Sequence, residues 1–585
     1  MKKLLVTDLL EEKQNNLFQK KEYLELPIYK NNQFDKKIIF YKKWKKYKYK
    51  IDDYNKIYNL YHLYLNKLIF FLNQYHKTKR TKKYWTILLT PWLINFISSV
   101  FIKWKFLENL EKKYFFIKKK MDSNNMIPTG IEDFHRISIS HYWNHYLFTR
   151  IIEKAFKKKI QIKKKFQLKK NNERDLIYSK LKNKKTKDRV FAIVQKILNY
   201  FRNPKYLIFS TYMTNFQEIL VNIRINKSIL LYKSPRPFHL TKYYNKGILR
   251  KKMTLDSSRS KKDKLKIFLD KEVIMNIPSS FLENYKSIGN DIKNIPFPKK
   301  PEKIFTTLGI NRSTIMDRYI ANNVEKGSKL ILAQHGGNYF QHKCMYHALH
   351  EVNISDKFLT WGKISKKKTI RLGVIKNIKK SKSIGDKIIV EIRMRRVYQN
   401  HIKIDSGFYD GKKYLDNMCD FFNKIKNDEI NNEIFVKLHH SEWGWNEKKL
   451  FLTNNPKLKF INSNKKMIDI IDSAKLMIYT FCSSGYLESI AANKPTIVLY
   501  LHDLNLLNDK TKKHFKILKK NGILHTDINS LIRMLKKYNH SDKIQKWWCD
   551  KKIQKLVSKY REDFCFYNND KLNDLKNIIV NENYN

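Results

Sequence analysis

The sequence predicts an α/β protein with two doubly wound domains, in which helices cover both faces of a parallel sheet. Short apolar strands alternate with helical stretches over 206–337, and a second series of the same kind begins near residue 386. Alternation at this length is typical of Rossmann-like sheets. A lysine-rich stretch at 364–386 separates the two series. We therefore expect a first domain over 1–375 and a second over 376–585.

The N-terminal part is predicted to add a helical insertion to the first domain. The segment LLVT near the start favours a first strand, and residues 54–76 place apolar side chains at helical spacing. A second helix is expected from Pro91 to Leu110, since proline is tolerated in a first turn. Its apolar run at 87–102 is shorter than the roughly 20 residues that span a bilayer, which favours a buried helix over an interfacial one. The lysine-rich residues 154–190 are expected to form an exposed helix or loop.

The chain of 585 residues carries a formal net charge of +67. This charge would suit a polyanion partner. However, lysine is spread along the whole chain together with abundant Asn, Ile, Tyr and Phe, as an AT-rich genome would produce. Arginine, on which base recognition mostly relies, is the minority cation, so we expect no nucleic-acid partner. The five cysteines are widely spaced without a CxxC pair, which indicates reduced thiols and a cytoplasmic location.

A buried strand of the first series ends in an unusual group of residues. The run KLILA is followed by Gln334, His335, Gly336 and Gly337. Ligands of open parallel sheets bind beyond the carboxyl ends of the strands, and glycines let backbone amides approach an anion closely. The segment predicts a ligand site centred on His335, with a simple turn as the alternative.

Three predicted strands of the second series end in groups that suit a phosphate. These are Arg395, Arg396, His439, His440, Ser483, Ser484, Gly485 and Glu488. Guanidiniums bind phosphate in a bidentate manner, and hydroxyls with free amides at a helix N-terminus form an anion site. Glu488, one turn into the helix that begins near Ser484, could accept a hydrogen bond from a ribose hydroxyl. Ordinary serine capping, a loop histidine and edge-strand arginines are the alternatives, but together the three strand ends predict a nucleotide.

The segments KLHHSEW and YTFCSSGYLES, in this order and spacing, resemble the second-domain signature of GT-B glycosyltransferases, closest to bacterial sialyltransferases and CDP-glycerol glycerophosphotransferases. Ser483–Ser484 match directly, whereas His439–His440–Ser441 stands where a His-Pro motif is usual. The whole chain resembles a family of bacterial transferases encoded among surface-polysaccharide and nonulosonic-acid genes. That resemblance rests on LLVTDLLEE, KYWTILLTPWL, AQHGGNYF and the Ser-Ser segment. Phe340 replaces the glycine that usually ends the third motif.

The resemblance implies a GT-B-like fold, in which two domains face a cleft, with the acceptor on the first and the nucleotide on the second. It implies an inverting transfer of sugar from a nucleotide-sugar, with a CMP-linked nonulosonic acid favoured, to a surface glycan such as the O-antigen of lipopolysaccharide. The general base would be His335 or Glu12, and the second would match the carboxylate that GT-B sialyltransferases use.

We expect neither a metal nor a cofactor beyond the nucleotide-sugar co-substrate, because no Asp-x-Asp pair occurs. A zinc site at His335, His342, His347 and His350 is disfavoured, since no HExxH motif is present. The expected acceptor is a glycan or a lipid-linked glycan, with a peripheral contact at the anionic inner membrane left open. The alternatives are a CDP-glycerol-type polyol-phosphate transferase and a non-enzymatic polyanion-binding protein.

Overall fold

The computed structural model of the chain contains three parallel sheets. The residues it describes are 3–6, 23–25, 47–110, 114–121, 123–158, 160–167, 204–225, 250–255, 263–293, 297–378, 385–394, 407–441, 445–538 and 540–581, with the single positions 197, 200, 201, 228 and 295.

The first sheet is a four-stranded parallel sheet that the sequence did not predict. Its order is β2-β1-β3-β4, with β1 Lys3–Val6, β2 Tyr23–Glu25, β3 Tyr114–Lys120 and β4 Ile160–Gln167. The expected first strand exists, but it lies outside the two Rossmann-like sheets. The expectation of helix or loop for all of 154–190 is wrong at β4, where Ile160 is buried and the next residue is exposed. This alternation is the period of a strand, and the lysines of β4 conceal it.

Two long helices and two short ones form the helical insertion: α1 Tyr47–His76, α2 Lys82–Glu108, α3 Ile131–Ile137 and α4 His141–Ile151. The second helix begins at Thr81, whose hydroxyl accepts the Tyr84 N–H at 3.2 Å, so Pro91 lies inside it and not at its start. Within the described residues, α2 alone is long and apolar enough to cross a membrane. However, 94% of its most apolar window is buried inside the protein, which confirms the buried-helix prediction.

The second sheet belongs to the first Rossmann-like domain, and its five parallel strands follow chain order. They are β5 Tyr206–Phe209, β6 Lys303–Thr306, β7 Lys329–Ala333, β8 Lys357–Thr360 and β9 Thr369–Arg371. The helices of this part are α5 Asn215–Arg224, α6 Lys264–Asn276, α7 Tyr285–Lys293, α8 Thr314–Glu325 and α9 Tyr346–Ile354. The apolar residues of β6, β7 and β8 are buried on both faces, as a helix-covered parallel sheet requires.

The third sheet has the order β12-β11-β10-β13-β14-β15, which is the 3-2-1-4-5-6 order of a dinucleotide-binding sheet. Its strands are β10 Lys387–Glu391, β11 Ile434–Lys437, β12 Lys459–Ile461, β13 Ala474–Tyr479, β14 Thr496–Leu499 and β15 Leu524–His525. Its helices are α10 Gly407–Ile425, α11 Glu447–Asn454, α12 Ser484–Ala491, α13 Asp509–Lys520, α14 Ile528–Lys537, α15 Ser541–Cys549 and α16 Lys551–Phe564. The chain reverses its strand order between β10 and β13, and open sheets bind ligands at such a switch point.

The last helix, α17 Lys571–Val580, returns to the first Rossmann-like domain. Its residues Leu575, Ile578 and Ile579 are buried in one cluster with Ile208 and Ile331 of that sheet. The expected second domain of 376–585 therefore contributes its final helix to the core of the first.

The carboxyl edges of the two Rossmann-like sheets face each other, as a GT-B-like fold requires. The N–H of Lys343 donates to the Leu506 carbonyl at 2.9 Å, and the N–H of Asn508 donates to the Gln341 carbonyl at 3.0 Å. Loops that follow β7 and β14 are thus joined across the cleft. The predicted fold class is confirmed, with the N-terminal sheet as an addition.

Candidate functional site

The predicted loop after β7 lies directly against the predicted helix N-terminus of the second domain. The Gly337 N–H donates to Ser484 Oγ at 3.1 Å. A Cβ on Gly337 would lie 2.9 Å from the carbonyl carbon of Ser483 and closer still to its oxygen, so glycine is required for this approach. A Cβ on Gly336 would lie 3.6 Å or more from its neighbours, which is ordinary contact. Two motifs about 150 residues apart therefore meet at one point.

Ser483 links this point to the switch point of the second domain. Its hydroxyl caps α12 by accepting the Gly485 N–H at 3.1 Å, and it donates to Glu391 Oε2 at 2.8 Å. Glu391 is the last residue of β10. Burial raises the pKa of the Glu391 carboxyl, against the lowering effects of Arg393 and of the Ser483 hydrogen bond. The capping alternative is thus correct for Ser483, and it does not exclude an anion at the same helix end.

His439 lies at the end of β11, beside β10. Its Nδ1 lies 3.0 Å from the backbone nitrogen and 3.3 Å from the carbonyl oxygen of Ser441. Burial, with a smaller contribution from Arg393, lowers the pKa of His439 to about 4. At neutral pH this ring is therefore an uncharged N–H donor. The ring of His440 lies 4.1 Å from that of His439, and its side chain is exposed.

Glu488 is buried one turn into α12, as the sequence predicted, but it already has a cationic partner. Its Oε1 lies 2.6 Å from Nζ of Lys376, which lies 4.4 Å from the centroid of the Tyr212 ring. Because Tyr212 follows β5, this contact joins the linker and both Rossmann-like domains. The contact of Glu488 with a ribose stays a prediction.

His335 contacts the buried Tyr339, which in turn is hydrogen-bonded to the buried Glu351. The Tyr339 hydroxyl lies 3.0 Å from Nδ1 and 3.2 Å from Nε2 of His335, and it donates to Glu351 Oε2 at 2.8 Å. Burial raises the pKa of Glu351 to about 8. The His335 side chain is 26% exposed, whereas that of Glu351 is 4% exposed. The arrangement holds the imidazole at the surface of the cleft, with proton-bearing groups behind it.

The side chain of Gln334 stabilises the turn that contains His335. Its Nε2 donates to the Gly336 carbonyl at 2.9 Å, and its Oε1 accepts the Trp361 N–H at 3.0 Å. The indole N–H of Trp361 also donates to the Gln334 carbonyl at 2.9 Å. Both the nitrogen and the oxygen of the Gln334 side-chain amide are hydrogen-bonded, and these bonds connect the end of β7 to the end of β8. A direct contact of Gln334 with substrate stays a prediction.

Three of the predicted site residues, Glu12, Arg395 and Arg396, lie outside the described residues. Of the histidines considered for zinc, His350 has Nε2 at 3.1 Å from Oδ1 of Asn311. Across the described ranges, no group of three or more His, Cys, Asp or Glu residues lies close enough to hold a metal ion.

Glu391, Tyr339 and Glu351 were not predicted as site residues, although each contacts a predicted one. A weak signal existed for all three. Glu391 is the first polar residue after the apolar core of β10, Tyr339 belongs to the AQHGGNYF motif, and Glu351 is the single acidic residue of α9.

Solved structures of low similarity cover most of the described fold. They include a UDP complex of MnaA from S. aureus (12% identity, 64% of this chain and 95% of that one, TM-score 0.36), MurG from Acinetobacter baumannii (8% identity, 64% and 99%, TM-score 0.32) and a UDP-GlcNAc 2-epimerase from Neisseria meningitidis bound to UDP-GlcNAc (9% identity, 61% and 98%, TM-score 0.32). These scores are too low to support a functional assignment.

A search of the curated proteins found no relative of this chain. The resemblance to sialyltransferases and to CDP-glycerol glycerophosphotransferases is not confirmed by the comparisons and stays a prediction. The expected membership of a transferase family is confirmed, because the profile of the LIC12162 family transferases matches residues 3–579 of the 585. The chain therefore belongs to the LIC12162 family of transferases.

Proposed function

We propose that this transferase moves a glycosyl group from a nucleotide-sugar to a hydroxyl of a surface-glycan acceptor. The observation that carries the proposal is the hydrogen bond from the Gly337 N–H to Ser484 Oγ. It brings a histidine of one sheet edge next to a helix N-terminus of the other. Such a site offers a proton acceptor and an anion-stabilising group within one cleft, which is what glycosyl transfer requires.

The second domain is the donor side of this proposal. The N-terminus of α12 lies at the switch point, where the helix dipole and the backbone N–H groups of the first turn favour a phosphate. His439 adds a neutral N–H donor on the neighbouring strand. The raised pKa of Glu391 shifts its carboxyl toward the protonated form, which lessens repulsion of a phosphate. The Ser483–Ser484 pair, by its resemblance, supports a CMP-linked nonulosonic acid as donor.

The proposed step is a single displacement with inversion at the anomeric carbon. The acceptor hydroxyl gives its proton to His335 while its oxygen forms the new bond to the anomeric carbon. The bond from that carbon to the phosphate oxygen breaks, and the electron pair leaves with the nucleotide. Tyr339 and Glu351 orient the ring of His335, and the helix N-terminus stabilises the negative charge of the leaving phosphate. Glu12 remains the alternative base.

The acceptor proposed is a glycan or a lipid-linked glycan, and the location proposed is cytoplasmic, with a peripheral contact at the inner membrane. Because lipid-linked glycans are assembled at that surface, a cytoplasmic transferase must reach it to act on them. The exposed lysines of the chain support such a contact with anionic lipids.

A thermal-shift titration with CMP, CDP, UMP, UDP and GDP, without added metal and at moderate salt, tests the proposal. A ligand at 100 times its Kd stabilises the native state by about 2.7 kcal/mol. We expect selective stabilisation by CMP, which Ser484→Ala weakens and Ser541→Ala, at the start of α15, leaves unchanged.

Each other result changes a different part of the proposal. A preference for UDP or GDP would retain the glycosyltransferase and replace the donor. Transfer of glycerol phosphate from CDP-glycerol, detected by mass spectrometry of the acceptor, would establish the polyol-phosphate alternative. No shift with any nucleotide, together with salt-sensitive nucleic-acid binding, would contradict the transferase proposal and favour the polyanion-binding protein.

A further inference from the structure

The helical insertion contains a groove of about 980 Å³ that the proposed reaction does not use. Its walls are α1, α2, the turn at 152–156 and the N-terminus of α6. The apolar side chains that line it are Leu60, Leu63, Phe101, Trp104, Ala155, Phe156 and Leu265. A groove of this size with an apolar floor suits a hydrocarbon chain.

The floor of the groove is built around Trp104. Its ring packs edge-on against Phe156 at 5.1 Å and at a tilt against Phe268 at 5.8 Å. At the mouth, Leu63 is 37% exposed, although it is a large apolar residue. Contiguous apolar surface that stays in contact with water marks a binding site more often than a structural element.

The rim of the groove is positively charged. Lys105 pairs with Glu108 at 2.8 Å and Lys266 pairs with Asp263 at 3.5 Å, which neutralises the two acidic residues of the lining. The two remaining lysines of the lining, Lys56 and Lys264, are exposed, and neither has an acidic partner among the described residues. The groove therefore combines an apolar floor with a net positive charge from the residues that line it.

We propose that this groove binds an anionic lipid, with one hydrocarbon chain on the apolar floor and a phosphate headgroup at the lysine rim. The proposal rests on the proposed function, since such a lipid would carry the acceptor glycan. The helix α1 that lines the groove also contacts the first Rossmann-like domain, because Tyr54, half a turn before Lys56, stacks on Tyr346 at 4.1 Å. Its hydroxyl accepts the Met345 N–H at 3.1 Å, immediately after the loop that bears His335.

The test is fluorescence quenching of the full chain by lysophosphatidate that carries a 9,10-dibromostearoyl chain, used below its micellar concentration. The bromines quench only tryptophans that the chain approaches closely. We expect saturable quenching that Trp104→Phe removes. Lysophosphatidylcholine with the same chain should bind more weakly, because its headgroup has no net charge.

Charge-reversal variants locate the headgroup. Lys56→Glu with Lys264→Glu should weaken lysophosphatidate binding by roughly tenfold or more, given the usual contribution of a lysine near an anionic headgroup. Lys516→Glu with Lys555→Glu, which makes the same change of net charge on exposed lysines of α13 and α16, should leave it unchanged. For the apolar floor, Leu63→Glu should weaken binding, whereas Phe70→Glu, two turns along α1 and outside the lining, should not.

Three outcomes would overturn the proposal: quenching that survives Trp104→Phe, equal losses from the two lysine pairs, or binding only to whole vesicles without quenching by the chain. The last would indicate a membrane surface contact alone. Nucleotide-induced thermal shifts, measured on the same variants, keep the two proposals separate. Lipid binding without any nucleotide effect would contradict the glycosyl transfer, and a nucleotide effect without lipid binding would contradict the groove.

Discussion

Gly337→Ala should separate the two Rossmann-like domains at the candidate site without unfolding either. The new methyl carbon would lie 2.9 Å from the carbonyl carbon of Ser483 and closer still to its oxygen, so the loop must retreat by about 1 Å to reach ordinary contact. Overpacking of this kind costs about 1–3 kcal/mol, and loss of the hydrogen bond to Ser484 adds about 0.5–1.5 kcal/mol. Together these costs amount to about 1.5–4.5 kcal/mol, and at about 1.4 kcal/mol per factor of ten the ratio of closed to open contact falls roughly 10- to 1500-fold.

Hydrogen–deuterium exchange measures this opening without any knowledge of the substrate. The exchange of peptides that cover 335–343 and 483–491 should accelerate by the same factor as the open population, while the core strands of both sheets keep their rates. Gly336→Ala is the matched control, because its Cβ would lie 3.6 Å or more from every neighbour, and it should exchange like the unmodified chain. Equal exchange in the two variants, whether slow or fast, would refute the inference that this backbone approach closes the cleft.

Three further changes test the groups around this contact by chemical denaturation. Phe340 adopts a φ of +58°, so both Phe340→Ala and Phe340→Gly lose the ring but only glycine relieves the backbone. Glycine should then be the more stable variant by roughly 0.5–1 kcal/mol, and a more stable alanine variant would show that the conformation is not strained. Burial raises the pKa of Glu351 to about 8, so the folded state keeps a proton that the unfolded state loses near pH 4.5. Its contribution to unfolding free energy should therefore fall by about 1.4 kcal/mol per pH unit between those values and level off above pH 8, and Glu351→Gln should remove this slope; equal slopes would contradict the assignment. Lys376→Met strands the buried Glu488 carboxylate at a cost of about 3–5 kcal/mol, most of which Glu488→Gln should restore in the double variant; additive losses would show that the pair is not coupled.

The second Rossmann-like domain could be predicted almost entirely from the sequence. Its strands are short apolar runs bounded by polar residues, and each except β12, which is followed by two short 3-10 helices, leads into an α-helix. The signal is local, because a parallel strand buried on both faces must be apolar throughout. The same locality explains why Ser483 could be recognised at a helix start, with two possible roles that local sequence does not separate.

The N-terminal sheet could not be predicted in this way, because its pairing is not local. β1 pairs with both β2 and β3, and Lys3 lies opposite Tyr114 across more than a hundred residues of chain.

The start of α2 was also misplaced. Proline costs a helix one hydrogen bond, and the rule that places it in the first turn fails where dense packing offsets that loss, as it does around the fully buried Trp92 beside Pro91.

Side-chain partners were the least predictable part of the candidate site. The sequence pattern predicted that His335 and Ser484 each lie just beyond the carboxyl end of a strand, where open parallel sheets bind ligands. Nothing in the spacing identifies Glu391 as the acceptor of the Ser483 hydroxyl, or Lys376 as the partner of Glu488. Such pairs depend on how the loops and helices pack in three dimensions, which the spacing of residues along the chain does not encode.

Backbone with positive φ recurs in the loops that follow the strands of the first Rossmann-like sheet. Ser210 and Tyr212 follow β5, Asn311 follows β6 and Phe340 follows β7, and each is a non-glycine residue with positive φ. Such conformations cost of order 1–3 kcal/mol each and persist only where the surroundings impose them. For Asn311, two contacts hold this conformation: its N–H donates to Asp317 at 2.8 Å, and its side chain contacts His350 at 3.1 Å.

Three consecutive strand ends thus hold strained loops at the edge that presents His335. A sheet that only needed to fold would relieve this strain with glycine, which adopts positive φ at little steric cost. The larger side chains at these positions make contacts that glycine could not supply, since the ring of Phe340 packs against Tyr339 and Phe358. The ring of Tyr212 contacts Lys376, and Lys376 in turn pairs with Glu488 of α12. The strand-end loops of the first Rossmann-like domain are therefore coupled to α12 at two points, through the backbone at Gly337 and through the ion pair at Lys376.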